Sequence, residues 1–403
     1  MELMARVFLL LLLPLSPSAA TAVAAPPPPR SQAQTADGNG VLVNGNFAMS
    51  PRKMNATVIV GRDSLPGWAL RGRVEYVSGG PQPGGMYFAA APGAHALRLG
   101  ARASAAQAVA VRPGAAYALT FAATRACARD GEREEALRVA VSPSFSAPGD
   151  VPVRTLYGAG AADAWAWGFR AAERNAQVEF SNPAAADDHD GDDSLNCGPL
   201  LAAVAFKELP APMPSKDNLI RNGDFEAGPA AIPNSTAGVL LPPKRKDATS
   251  PLPGWIVESL RPVRLVDAPH FAVPQGQRAV ELVAGREGAV AQVIRTAPGR
   301  AYNLSFAVGD ARDGCEGAML VHAVVVAGGG GGNATAKAAA AAVPYASRGG
   351  GGARQASLRF VASGRRARVT FYSSYYHTSA GDGVSPCGPV LDQVKVQPLM
   401  TKA

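Results

Sequence analysis

Whatever chemistry this chain performs must come from a short roster of residues. Four cysteines stand in two pairs, Cys127 and Cys197 separated by 70 positions and Cys315 and Cys387 by 72. No C-x-x-C spacing occurs, which excludes a zinc-ribbon array, and so few cysteines exclude a disulfide-dense mini-scaffold. The five histidines (His95, His189, His270, His322 and His377) form no H-E-x-x-H metal site, and no G-x-S-x-G nucleophile elbow is present. A glycosidase needs two carboxylates flanking the scissile bond. The prominent acids do not repeat: Arg264 stands in the second half where Glu75 stands in the first, and Arg98 stands in the first where Glu281 stands in the second. The run Asp187-Asp188-His189-Asp190-Gly191-Asp192-Asp193 lacks the EF-hand spacing and its distal Glu, and reads as a solvated loop. Lys244-Arg245-Lys246 and Arg365-Arg366 read as solvated basic faces. They interleave with no aromatic stripe, so no nucleic-acid partner is expected.

Aromatic residues make up only 6% of the chain, so their clusters carry weight. Sugar binding needs flat rings for the CH faces of a pyranose and polar groups for its hydroxyls. Two clusters meet that description: Trp165 and Trp167 on one strand face, and Tyr372, Tyr375, Tyr376 and His377 near the end. Trp68 and Trp255 each follow a Pro-Gly turn and read as core. Four N-x-[ST] sequons mark candidate glycosylation at Asn55, Asn234, Asn303 and Asn333. Asn234 and Asn333 fall in loops; Asn303 lies mid-strand on the polar-facing side.

The elements that must position these residues come as a duplication. Asn44-Gly45-Asn46-Phe47 matches Asn222-Gly223-Asp224-Phe225, and Leu65-Pro66-Gly67-Trp68 matches Leu252-Pro253-Gly254-Trp255. A Pro-Gly turn enters an aromatic strand at Pro113 and at Pro298, ahead of Cys127 and Cys315. Cys197-Gly198-Pro199 matches Cys387-Gly388-Pro389. The offsets run only from 178 to 190 residues, which fits one globular domain present twice rather than a solenoid. A repeat that folds alone closes its own bond, so the spacing predicts Cys127–Cys197 and Cys315–Cys387. Each loop of about 70 residues contributes roughly 4 kcal/mol in the chain-entropy model.

Within each half the apolar pattern has period two, as in Tyr302, Leu304, Phe306 and Val308, and long helical periodicity is absent. Gly (44) and Pro (34) punctuate it, favouring turn-rich β structure. About eight short strands in each unit of roughly 170 residues predict two tandem jelly-roll β-sandwiches, all-β. The expected boundaries are 41–208 and 218–398, joined by a stiff proline-rich linker at 209–217. The stretch from Gly328 to Gly352, rich in Gly and Ala, is read as loops flanking one strand around Val343-Pro344-Tyr345. Residues 1–24, with Arg6, an apolar run from Val7 to Leu15 and Ala22-Val23-Ala24, read as a secretory signal peptide. Residues 25–40 read as a proline-rich disordered segment. No later run is long enough to span a bilayer, and Leu399 to Ala403 offers no tail for a lipid anchor, so no membrane partner is expected. Lys+Arg 39 against Asp+Glu 31 gives +8, which suits an acidic partner.

These motifs resemble a known family. Asn44-Gly45-Asn46-Phe47, Ser64-Leu65-Pro66-Gly67-Trp68, Val74 to Met86, Cys197-Gly198-Pro199-Leu200-Leu201, Ser250 to Trp255, Tyr375-Tyr376-His377-Thr378 and Cys387-Gly388-Pro389-Val390 look like the plant cell-wall family called "domain of unknown function 642". The resemblance covers about residues 40 to 400. It implies two galactose-binding-like jelly rolls, secretion to the plant cell wall, association with wall polysaccharide and no enzymatic activity. It also implies pectin methylesterase as a partner whose activity is modulated. The family pattern places an acid after N-G-[ND]-F and another after C-G-P-x-x. The second half keeps both, as Glu226 and Asp392, whereas the first has Ala48 and Ala202. In related sugar-binding jelly rolls such acids meet around a structural Ca²⁺, so the resemblance implies a Ca²⁺ site at Glu226 and Asp392 alone; no other cofactor is required. The expectation is a secreted, non-catalytic binder of wall polysaccharide, pectin (homogalacturonan) or cellulose. Its alternatives are a pure protein partner of a wall enzyme and a wall hydrolase.

Overall fold

Period-two sequences pair into ladders, and this chain does so twice, with eleven strands that correspond between the repeats besides a few two-residue ones. The computed structural model describes residues 42–78, 80–81, 87–88, 95–125, 135–153, 163–184, 198–213, 215, 217–230, 232, 237–243, 249–327 and 337–399. The leader, the 25–40 segment, Cys127, Cys197, Asn234, Asn333, the Asp187–Asp193 run and Lys244–Lys246 lie outside the described residues. The first repeat includes β1 (Val58–Ile59), β2 (Ala69–Arg71), β3 (Val74–Ser78), β4 (His95–Leu99), β5 (Ser104–Ala110), β6 (Ala116–Thr124), β7 (Glu135–Ser142), β8 (Gly149–Val153), β9 (Asp163–Arg170), β10 (Asn175–Ser181) and β11 (Leu200–Leu209). The second includes β12 (Val239–Leu241), β13 (Ile256–Ser259), β14 (Val263–Asp267), β15 (Arg278–Glu281), β16 (Gly288–Arg295), β17 (Ala301–Asp310), β18 (Glu316–Ala327), β19 (Lys337–Arg348), β20 (Gly352–Val361), β21 (Arg366–Ser373) and β22 (Pro389–Pro398). The sequence predicts about eight per repeat. The excess is short strands of two to five residues between Gly/Pro turns, such as β1, β2 and β8. Among the described residues the only helical turn is a 3₁₀ turn at Gly285–Glu287.

Each repeat is a sandwich of a smaller five-stranded sheet against its share of a larger one. The smaller sheets run β8-β7-β10-β5-β2 and β13-β16-β21-β18-β19. Edge-to-face ring pairs bind the layers at matching places, Phe121 on Phe180 and Phe306 on Phe371, each with centroids 5.0 Å apart. The repeated motifs have one structural job. Trp68 and Trp255 are 2% and 1% exposed, and their indole N–H groups donate to the backbone oxygens of Asn44 and Asn222, 3.1 and 2.8 Å away. Burying such a ring stabilises by a few kcal/mol, and the hydrogen bond satisfies its one polar atom. The two asparagines adopt left-handed φ values of 55° and 51°, and their side chains clasp the loop that wraps each Trp. Gly198 and Gly388 are required by close approach: a Cβ at either would run into the carbonyl oxygen of Leu99 or Leu282. Cys315 and Cys387 form the predicted disulfide, with Cα atoms 5.7 Å apart.

The two repeats are not merely strung along a spacer. The larger sheet is continuous, with thirteen strands that include β1-β3-β4-β11-β6-β9 and then β12-β14-β15-β22-β17-β20. The joint is a parallel pairing of β9 with β12, Trp165 opposite Leu240. Gly168, on β9, lets the Ser250-Pro251 backbone of the second repeat close in where a Cβ would collide with it. Residues 36–403 accordingly form one compact unit. The alanine run is also not loop: Lys337–Arg348 pairs with Glu316–Ala327 along its whole length, because alanine costs a β ladder no hydrogen bonds.

Candidate functional site

The outer face of the second repeat's smaller sheet is where exposed rings and polar groups meet. On β21, Ala367, Val369, Phe371 and Ser373 point into the core, so Arg366, Arg368, Thr370 and Tyr372 point outward. On β18, Val321, Ala323, Val325 and Ala327 point inward, which puts His322, Val324 and Val326 on the outer face. Register sets Tyr372 directly across from His322, and the rings stack with centroids 4.7 Å apart and planes 8° from parallel. Ala289 is the cross-strand neighbour on one side and Ala342 on the other, so both lateral neighbours of the stacked pair are small.

Polar groups surround the stack. His322 Nε2 and Ser374 Oγ are 2.6 Å apart. Burial and the nearby Arg286 guanidinium push the His322 ring below its ordinary value, which keeps it neutral and able to accept that hydroxyl. Tyr375 and Tyr376 follow, 51% and 58% exposed, with the Tyr375 ring edge-on to His377 at 6.4 Å. The Tyr376 hydroxyl donates to Glu287. Burial, helped by that carboxylate, raises the phenol to about 12, while the same hydrogen bond lowers Glu287. Arg261 also reaches Glu287, at 3.3 Å. Arg368 pairs with Glu258 on the same face.

Of the residues proposed from sequence, Tyr372, Tyr375, Tyr376 and His377 therefore gather in one place. Trp165 and Trp167 do not join them. They share a strand face as expected, but that face looks into the first repeat's core, where they are 2% and 6% exposed and closed to any ligand. Alternation gives two faces and does not say which is wet. His322 was not legible as a site residue, because it reaches Tyr372 only through the β18–β21 pairing, and Arg286 comes from the 3₁₀ turn ahead of β16; Thr370 and Ser374, two positions either side of Tyr372, were within reach of the alternation and went unread. Asn55 is exposed, and Asn303 is half-buried on β17 between β20 and β22.

The two acids proposed for Ca²⁺ converge on one loop. Asp392 is fully buried and accepts the backbone N–H groups of Gln275 and Gln393, at 3.0 and 2.6 Å. Glu226 accepts those of Gln277 and Arg278, at 2.6 and 3.2 Å. Burial, with the charges of Glu226 and Asp224 adding to it, pushes the Asp392 carboxyl up to about 7. Carboxylate oxygens are the donor type a divalent cation takes, but Asp224, Glu226 and Asp392 do not all bring a ligand oxygen within 4.8 Å of one another. Asn46, Ala48 and Ala202 stand at the corresponding places in the first repeat.

Comparison with known proteins agrees with the duplication. The family model described as "Protein of unknown function (DUF642)" matches residues 40–207 and again 218–397. Protein TEEBE of Arabidopsis thaliana is 46% identical over 360 residues, 89% of this chain and 91% of that protein. The Arabidopsis protein DUF642 L-galactono-1,4-lactone-responsive gene 2 is 43% identical over the same shares of each chain. Among solved structures, the CBM22-1-CBM22-2 tandem domain of Paenibacillus barcinonensis Xyn10C aligns at 10% identity over 83% of this chain and 94% of its own, with a TM-score of 0.29. TmCBM61 in complex with β-1,4-galactotriose aligns at 17% identity over 45% of this chain and 99% of its own, with a TM-score of 0.26. With both repeats matched and the relatives alike over nearly their whole length, this chain belongs to the DUF642 family.

Proposed function

We propose that this is a secreted, non-catalytic protein of the plant cell wall that holds polysaccharide on the outer face of the second repeat's smaller sheet. The observation that carries this reading is the Tyr372–His322 stack, flanked across the sheet by alanine on both sides and followed in the chain by the exposed Tyr375 and Tyr376. Flat rings accept the CH faces of pyranoses, and the surrounding Ser374, Thr370, Arg286 and Glu287 suit the hydroxyls. Charge favours an acidic polymer over a neutral one. Arg366, Arg368, Thr370 and Tyr372 follow one another along β21, and Arg295 lies across from Arg366. Like charges directly opposite one another are unfavourable unless an anion joins them, and neither Arg295 nor Arg366 has a carboxylate partner among the described residues. De-esterified pectin is such an anion.

The disulfide supports secretion, since such bonds persist in oxidising compartments. The two carboxylates beside the rings are engaged, Glu258 by Arg368 and Glu287 by Tyr376, which supports binding rather than acid–base catalysis. Pectin methylesterase, which the family resemblance brings in, would then act on polymer already held. Asp224, Glu226 and Asp392 would hold a structural Ca²⁺, tying the start of the second repeat to its last strand. The test is affinity electrophoresis of the full secreted chain through gels with polygalacturonate, cellulose or no polymer. Retardation by polygalacturonate that Tyr372→Ala and His322→Ala each weaken supports the reading. Retardation unchanged in both variants, or none with any polymer, overturns it.

A further inference from the structure

Two buried ion pairs occupy the same place in the two repeats with their charges exchanged. In the first, Glu75 on β3 lies across from Arg98 on β4. The Glu75 side chain is 3% exposed, receives Arg98 Nε at 2.5 Å, and is shared with Arg73 at 2.8 Å. In the second, Arg264 on β14 lies across from Glu281 on β15. Glu281 is fully buried and receives Arg264 at 2.6 Å and the Gly388 N–H at 2.8 Å, while Arg264 also holds Asp313 at 2.5 Å. The surrounding apolar positions correspond: Val74, Tyr76 and Val77 with Val263, Leu265 and Val266, and Ala96, Leu97 and Leu99 with Ala279, Val280 and Leu282. Both sets of strands sit in one thirteen-stranded sheet. Shape and hydrophobicity alone therefore let β3 pair with β15, or β14 with β4, and duplicated domains fail characteristically by such misassembly.

We infer that the exchanged ion pair is a pairing code that keeps the strands of one repeat, in this chain or in a second copy, from pairing with their counterparts in the other. Pairing β3 with β15 sets Glu75 against Glu281, and pairing β14 with β4 sets Arg264 against Arg98. Each mispairing sets two like charges together where the native pairing sets opposites, and Arg73, the cation that travels with β3, bonds Glu75 and leaves Glu281 without its own arginine, so the mispaired ladder is disfavoured where packing would accept it.

The test is a refolding cycle on the full chain. Glu75→Arg with Arg98→Glu and Arg73→Gln inverts the first pair. Arg264→Glu with Glu281→Arg and Asp313→Asn inverts the second. Either inversion alone gives both repeats the same orientation and erases the code; the combination restores opposite orientations. After dilution from urea, the yield of monomer free of disulfides between the halves is measured. Each single inversion should lower the yield several-fold, and the combination should refold better than either, although it carries every substitution. Independent local damage predicts the reverse, with the combination worst. Single inversions that refold like the parent, or a combination no better than they are, overturn the inference.

Discussion

Ser181 and Arg138 occupy in the first repeat the two positions that Tyr372 and His322 occupy in the second. The correspondence follows from register. Ser181 pairs with Ser104 and Arg138, as Tyr372 pairs with Ala289 and His322, while the core neighbours Phe180 and Phe371 make the same contact behind them. Next along, Asp150 stands where Ala342 does and closes an ion pair with Arg138 at 2.7 Å. At these matched positions one sandwich thus presents a salt-bridged pair and the other an aromatic one. The inward faces are held alike by packing, and the outward faces have diverged freely. Duplicating a fold need not duplicate its surface, and here the exposed Tyr375 and Tyr376 and the acids Asp224, Glu226 and Asp392 belong to the second repeat.

The largest difference expected between the repeats lies in their buried ion pairs. Arg264→Ala leaves Glu281 and Asp313 facing each other with no cation, and breaking a buried pair in this way costs about 3–5 kcal/mol. Arg98→Ala leaves Glu75 still bonded to Arg73, so the loss should be nearer 1–3 kcal/mol. Urea unfolding of the two variants decides it, and equal losses would remove the asymmetry.

Calcium sharpens the comparison next. If Asp224, Glu226 and Asp392 hold the ion, calcium at a hundred times its dissociation constant stabilises the second repeat by about 2.7 kcal/mol. A chelator should lower the melting temperature of the protein, and Glu226→Ala should abolish that response. A chelator response that survives Glu226→Ala places the ion elsewhere.

Ligand binding comes third. Tyr372→Ala should weaken polygalacturonate binding about tenfold, roughly 1.4 kcal/mol, while Arg138→Ala at the corresponding place should change nothing. Because the His322 ring is pushed below its ordinary 6.5, the neutral stack persists above that value and is lost only as the pH falls through the lowered one. Affinity measured by calorimetry from pH 8 downward should therefore stay level until below 6.5. Equal losses from Tyr372→Ala and Arg138→Ala would mean that both repeats bind.

Much of this was legible in the sequence, and what was not has a physical cause. Spacing alone gave the duplication, the Cys315–Cys387 bond and the core role of Trp68 and Trp255, because each depends on local pattern or on a repeat closing on itself. The shared sheet was hidden, since alternation along β9 and β12 names no partner strand. Trp165 and Trp167 were misplaced for the same reason. The exchanged ion pair was in plain view, with Glu75 aligned to Arg264 and Arg98 to Glu281. It read as a lack of shared acids because it takes the β3–β4 and β14–β15 registers to show that those four residues are two pairs.

The smallest expected effect tests whether the first repeat's face is free. Arg138 and Asp150 have side chains 48% and 41% exposed, and the Asp150 carboxylate holds the guanidinium slightly above its ordinary value. An ion pair so placed is screened by solvent and contributes no more than about 1 kcal/mol. Asp150→Ala should accordingly lower stability by less than that, and the difference should shrink as salt is raised past 0.1 M, where charges are screened over about 10 Å. The buried Arg264–Glu281 pair should keep its larger contribution under the same salt, so the two variants measured side by side separate surface from interior. A loss at Asp150 well above 1 kcal/mol that salt does not diminish would mean this face is covered in solution, and the contrast between an idle and a working repeat would have to be redrawn as one between two kinds of partner.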